Sequence, residues 1–436
     1  MKSQHVSNLL RGKNNMSELK NRREKLFAKM KENSALILFS GVGKLCSEDE
    51  LYPFLSNRHF YYLTNIEQDH SALIMIKGIG EKRTYLFVDE NNEKKEKWTG
   101  KRLSFEMANS ISSIASVYPM ESLESMLSLI FATENNQYGN IKTLYIDLSP
   151  ELKIGESLST VEYAKNLQAE YEHIEIENAY PLIRDLRMIK SPDEIENIVK
   201  AIELTNSGIS QMLIDLKPGL REYQLSDKFE FYGRDHDRHG LAFSTIVASG
   251  NNATCLHHPI EHQNGLIKEN DLVLFDLGYS HNGYSADISR TYPVNGKYSG
   301  KQKLIYEAVL ECNKAVIEYI QAGLTIKDLQ EYAKEFLKKK CVEFELMSED
   351  EDIVKYYYHN VSHHLGLDTH DSSLREKPLE NGNVITVEPG LYFANYGIGV
   401  RIEDDILIQN GRAEVLSKCI AKEISDIEKL LQIKGH

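Results

Sequence analysis

The stretch LVLFDLGYSHNGYSADISRTYPV, running from Leu272 to Val294, reads as two strands folded back at Asn282-Gly283, the two-residue signature of a tight hairpin. A turn centred there sets Asp276 opposite Ser289 and makes Asp287 the diagonal neighbour of Asp276 on the same sheet face. Diagonal neighbours stand roughly 5.5–8 Å apart, and carboxylates so placed can share two cations about 3.5–4 Å apart. Either aspartate alone would read as a turn residue in water. The apolar run Leu272–Phe275 that leads into Asp276 argues for burial instead.

A second hairpin is expected in VITVEPGLYFANYGIGVRIEDDILI, Val384–Ile408, with its turn around Asn395 to Gly397. That turn puts Glu388 roughly across from Glu403, each among apolar neighbours, with Pro389 disturbing the ladder between them. Four half-buried carboxylates that converged without a cation would repel one another, and some would have to stay protonated. A dinuclear metal site removes that cost; equally, the two hairpins need not meet. Between them, YYYHNVSHHLGLDTHD supplies His359, His363, His364 and His370. Histidine serves as a nitrogen ligand or as a proton shuttle near neutral pH. His364, on the opposite side of an extended chain from His363, is expected to be structural. His257 in TIVASGNNATCLHHP is a further candidate, and its neighbour His258 is taken as incidental.

The 436-residue chain suggests two domains, with 41% hydrophobic and 27% charged residues giving room for a substantial core. Residues 1–15 read as a flexible extension without a secretory signal. Residues 16–179 alternate apolar strands with helical patterns, an α/β arrangement. Residues 180–436 open on a capping box, Ser191-Pro192-Asp193-Glu194, and continue as an α+β domain with helices on a curved antiparallel sheet. No membrane span is expected. A net charge of −14 disfavours nucleic acid. Five scattered cysteines without a C-x-x-C pair fit a reducing, cytoplasmic setting.

Taken together, Asp276, Asp287, His363, Glu388 and Glu403 match, in order, the metal ligands of the pita-bread metallopeptidases, a group that includes methionine aminopeptidase, prolidase and aminopeptidase P. The phrases FDLG, GYSADISRTYPVNG, SHHLGLDTHD, TVEPGLY and GVRIEDD match as well. The first domain, through LYPFLSNRHFYYLTNIEQDHSALIMI and KWTGKRL, resembles the N-terminal domain of aminopeptidase P. The resemblance implies a pita-bread fold and hydrolysis of the bond between an N-terminal residue and a following proline, by a hydroxide bridging two divalent cations. It implies peptide substrates with proline second and a homodimer or homotetramer. Oxygen-rich coordination suits manganese, with cobalt or zinc as alternatives.

By the same match Glu388 shuttles the nucleophile's proton, His370 hydrogen-bonds the scissile carbonyl, and His257 and His359 position the substrate. Arg401 contacts a ligand carboxylate or the substrate beyond the cut. Tyr392 and Trp98 are candidates for the proline pocket or, equally, for packing. The chain departs from the family pattern at Asn360, His364 and Ser372-Ser373, which bears on pocket shape. A prolidase restricted to dipeptides and a non-catalytic binding protein of the same fold are the competing expectations.

Overall fold

The computed structural model describes residues 17–433 except 49, 79, 91–92, 135, 150, 156–157 and 236–239. The extension expected over residues 1–15 lies outside them. The chain forms two compact units, one through Arg187 and one from Met188.

In the first unit the apolar runs are strands of one mixed sheet. Its members are β1 (Ser34–Phe39), β2 (Ala72–Lys77), β3 (Lys82–Val88), β4 (Ser116–Pro119), β5 (Thr143–Ile146) and β6 (Glu175–Asn178), ordered β4-β3-β2-β1-β5-β6. β1 pairs antiparallel with β2 and parallel with β5, the parallel pair being one that needs a long crossover connection. All six residues of β1 are buried, the pattern of a strand covered on both faces. Ala35, Ile37 and Phe39 share a core with Leu127 and Ile130 of one helix and Leu167 of another. Trp98 is not packed into that core; it is 86% exposed.

The second unit begins with the helix Pro192–Asp215, where the Ser191/Glu194 capping box forms with proline in the first turn. This helix and the helix Glu222–Asp235 pack together, the second against β7 (Ile246–Ser249). β7 pairs antiparallel with β8 (Leu272–Leu277), and β8 with β11 (Ile288–Pro293). Between them β9 (Ser280–His281) and β10 (Tyr284–Ser285) close the hairpin. Asn282 and Gly283 both have positive φ (49° and 81°), the type I′ geometry expected of this pair.

The second hairpin is a long ladder with one interruption. β12 (Val384–Val387) pairs with β15 (Asp404–Gln409), which also pairs β16 (Arg412–Val415), while β13 (Gly390–Phe393) pairs with β14 (Ile398–Arg401). Val387 faces Asp404 and Gly390 faces Arg401, so the register continues across the break and leaves Glu388 opposite Glu403. Pro389 has no N–H to give, and the gap falls there. The helix Gly300–Tyr319 packs on β12, β13 and β14, and the helix Ile326–Glu343 packs on it.

Candidate metal centre

The two hairpins do meet. The Glu403 N–H donates to Ser289 O at 3.0 Å, and the Asp287 N–H donates to the Asp405 carboxylate at 3.2 Å. The histidine segment lies along the free edge of β12, where Glu388 N–H bonds Val361 O and Thr386 N–H bonds His363 O, both at 2.9 Å. Asp276, with Ser289 facing it in the ladder, comes from the end of β8, and Asp287 stands just before β11. One cavity of about 480 Å³ is lined by Asp276, Asp287, His363, Glu388 and Glu403 together with His257, His359, His370 and Arg401. Phe243, Ile246 and Leu256 give it an apolar wall, and Asn360 and Arg375 also line it.

The charges in this cavity are poorly compensated by protein alone. Burial and then the neighbouring Asp276 and Glu388 carboxylates push the Asp287 carboxyl well above its ordinary range. Burial and the Asp287 charge do the same to Glu403, and burial with Glu403 lifts Glu388 to about 8. Glu403 Oε2 accepts from Ser289 Oγ at 2.7 Å, but its buried Oε1 has no hydrogen-bond partner among the described residues.

His363 sharpens the point. Its Nδ1 sits 3.0 Å from the carbonyl of His364, which can only accept, so Nδ1 carries the proton. Its other ring nitrogen, Nε2, faces Asp287 Oδ2 at 3.3 Å and Glu388 Oε1 at 3.6 Å. Ligand atoms of Asp287, His363 and Glu403 all lie within 4.8 Å of one another. One imidazole and several buried carboxylates gathered around one point, with one carboxylate oxygen lacking a partner, form a donor set that fits a cation.

Around these groups the other residues form a hydrogen-bonded frame. Arg401, 2% exposed, donates to Ser289 Oγ at 2.7 Å, to Tyr392 Oη at 2.9 Å and to Asp276 Oδ2 at 2.5 Å. The Tyr392 hydroxyl in turn donates a hydrogen bond to His359 Nε2 at 2.9 Å, since His359 Nδ1 is committed to the Asn360 carbonyl. Burial and the Arg401 charge lower His359 to about 3, so this imidazole is neutral at pH 7. His370 stacks on His363 with ring centroids 3.9 Å apart, and burial followed by the His363 charge lowers it to about 4.

His364, expected to be structural, is buried outside the cavity lining, and neither of its ring nitrogens has a hydrogen-bond partner among the described residues. His258 was expected to be incidental. It is instead buried, with Nε2 3.3 Å from the Glu222 carboxylate. Sequence reasoning did not single out Ser289 for a role, although the register that placed it opposite Asp276 was the available signal. Arg375 carried no signal, because it lies on an irregular loop.

Comparison with known proteins agrees with this geometry. Residues 196–410 match the model of metallopeptidase family M24, and residues 19–138 match the aminopeptidase P N-terminal domain. The chain is 33% identical to the Xaa-Pro aminopeptidase of Haemophilus influenzae over 434 residues, covering 95% of this chain and 97% of the relative. The chain belongs to the aminopeptidase P family. It is therefore a metallo-exopeptidase with the pita-bread fold, and the family implies that it binds a divalent metal. A Bacillus anthracis structure assigned as an aminopeptidase P is 41% identical with a TM-score of 0.90, covering 96% of this chain and 98% of that one. Aminopeptidase P from Escherichia coli, solved with the inhibitor Pro-Leu, is 27% identical with a TM-score of 0.85 over 96% and 98% of the two chains.

Proposed function

We propose that this aminopeptidase P family member releases the N-terminal residue from peptides with proline second, using two divalent cations held by Asp276, Asp287, His363, Glu388 and Glu403. The observation that carries the reading is the convergence of His363 Nε2 with the Asp287 and Glu388 carboxylates beside an unpartnered Glu403 oxygen. With four carboxylates and one imidazole, manganese is the expected metal, ahead of cobalt or zinc. The E. coli relative has also been solved in a zinc-substituted form. When bound, the cations supply an ionised water at neutral pH and polarise the carbonyl before proline.

The chain's own residues do the remaining work. Glu388, which lines the cavity beside the other four ligands, takes the proton of the attacking water and returns it to the leaving proline nitrogen. His370, neutral at pH 7, keeps an N–H with which to bond the carbonyl oxygen as charge develops. His257 and His359 orient the peptide, His359 being held rigidly by Tyr392 and its own backbone. Arg401 fixes Asp276 and, through Ser289, Glu403. Phe243, Ile246 and Leu256 offer the apolar surface that a proline ring requires.

We further place the protein in the cytoplasm as a homodimer or homotetramer. All five cysteines are free, and among the described residues no helix is long and apolar enough to cross a membrane. The test is a matched substrate set: Gly-Pro, a tripeptide with proline second, and the same tripeptide with alanine second. Release of the first residue from the proline tripeptide alone supports the proposal; cleavage of Gly-Pro alone makes the enzyme a prolidase. Light scattering reads the oligomeric state.

A further inference from the structure

Glu222 is fully buried, yet the chemistry proposed above makes no use of it. It opens the helix Glu222–Asp235. Its carboxylate accepts from the backbone N–H and hydroxyl of Ser249 at 2.6 and 2.8 Å. The Asn252 amide lies 3.1 Å from both oxygens, and the Gly265 N–H donates at 3.1 Å. His258 Nε2 approaches to 3.3 Å without hydrogen-bond alignment. The backbone N–H of Glu222 returns a bond to Gly265 O at 3.1 Å. The packing is close, since a Cβ on Gly265 would fall 2.7 Å from the Glu222 carboxylate.

All of these donors lie on one excursion, the connection from the end of β7 to β8. Between Ser249 and Gly265 its regular structure is two short 3₁₀ turns, and His257 and Leu256 project from it into the cavity. A loop of this kind would sample many conformations on its own. A buried carboxylate is tolerated only when its hydrogen bonds are made, so the cost of leaving Glu222 unpaired disfavours the alternatives. On its other side the loop abuts β14, where a Cβ on Gly399 would lie 1.8 Å from Ala253 O.

We propose that Glu222 is a positioning residue for His257: by gathering Ser249, Asn252, Gly265 and His258 onto one carboxylate, it fixes the loop that presents this histidine to the peptide. The proposal rests on the substrate-positioning role given to His257 above. Glu222 touches neither substrate nor metal ligand, and it acts through the loop.

Non-additivity is the test. Glu222→Gln keeps the volume but turns an amide N–H toward groups that are themselves donors. Turnover of a proline-second tripeptide is measured per metal-loaded chain, with bound metal by elemental analysis, in wild-type and His257→Ala backgrounds. A misplacement of about 1 Å can cost on the order of 10²-fold. Glu222→Gln is therefore expected to lower kcat at least ~10-fold with bound metal unchanged, and to cost less than about 2-fold once His257 is alanine. The same loss in both backgrounds, or loss of metal, overturns the proposal. Ser249→Ala and Asn252→Ala remove single donors and carry the same cycle if Glu222→Gln does not fold. Undiminished turnover by His257→Ala refutes the role of His257 itself, and this inference with it.

Discussion

Replacing Asp287 with asparagine separates a metal site from a merely acidic cavity, because the two accounts predict opposite changes in stability. In the metal-free protein, ligand atoms of Asp287 and Glu403 lie within 4.8 Å of each other, where two unit charges at an effective dielectric of 20 repel by about 3.5 kcal/mol. Protonation relieves part of that repulsion, since burial and then Asp276 and Glu388 push the Asp287 carboxyl up, and burial and then Asp287 push up Glu403. The native state then keeps protons that the unfolded chain has released above about pH 4. Wild-type stability without metal therefore falls as pH rises through the region between the unfolded and folded values. Asp287→Asn removes one such group, so metal-free Asp287→Asn should exceed metal-free wild type by about 1–3 kcal/mol near pH 8, a gain that shrinks toward pH 5. For a unit of this size that is roughly 3–10 °C in Tm. Manganese should raise the wild-type Tm and leave the variant's almost unchanged, and the variant should be inactive. Calorimetry of chelator-treated protein with and without added metal reads all of this. A variant less stable than wild type without metal, yet equally stabilised by manganese, would refute the reasoning.

Other outcomes follow from the same geometry. Because Glu388 sits at about 8 without metal, cation binding must expel protons. Apparent manganese affinity should rise between pH 6 and 8, with proton release visible as a buffer-dependent heat in titration calorimetry. Arg401→Met strips Asp276 of a buried charged partner and frees Tyr392, which should cost about 3–5 kcal/mol in stability and abolish turnover. Arg401→Lys, without the three-way fork, should restore charge and little activity. Lys190 and Asp371 form a buried pair at 2.9 Å, so Lys190→Met should lower stability by about 3–5 kcal/mol, and adding Asp371→Asn should recover much of the loss by chemical denaturation.

The hairpins were legible because their signals are local. Asn282-Gly283 fixed the register that sets Ser289 against Asp276, and the turn at Asn395–Gly397 set Glu388 across from Glu403 even though Pro389 breaks the ladder. Whether the hairpins meet was not legible by pairing rules, since the Glu403–Ser289 contact joins residues 114 positions apart in the chain. The clamps were hidden for the same reason. Glu222 has the look of an ordinary acidic first-turn residue, and only the fold brings it beneath Ser249 and Gly265. Gln330 resembles a solvent-facing helix residue, yet it bonds the backbone of both His359 and Val361. His258, expected to be incidental, gives no signal of its own beside His257, since only the fold brings it to the Glu222 carboxylate. The apolar wall of Phe243, Ile246 and Leu256 gave no periodic signal at all.

Metal stoichiometry against turnover tests the central claim most directly. Chelator-stripped protein is titrated with manganese while hydrolysis of a tripeptide with proline second is followed and bound metal is counted. The account predicts no turnover without metal, release of the first residue alone, and a rate that saturates at two ions per chain. Full turnover in the stripped protein, or two bound ions with no cleavage of that peptide, would contradict it.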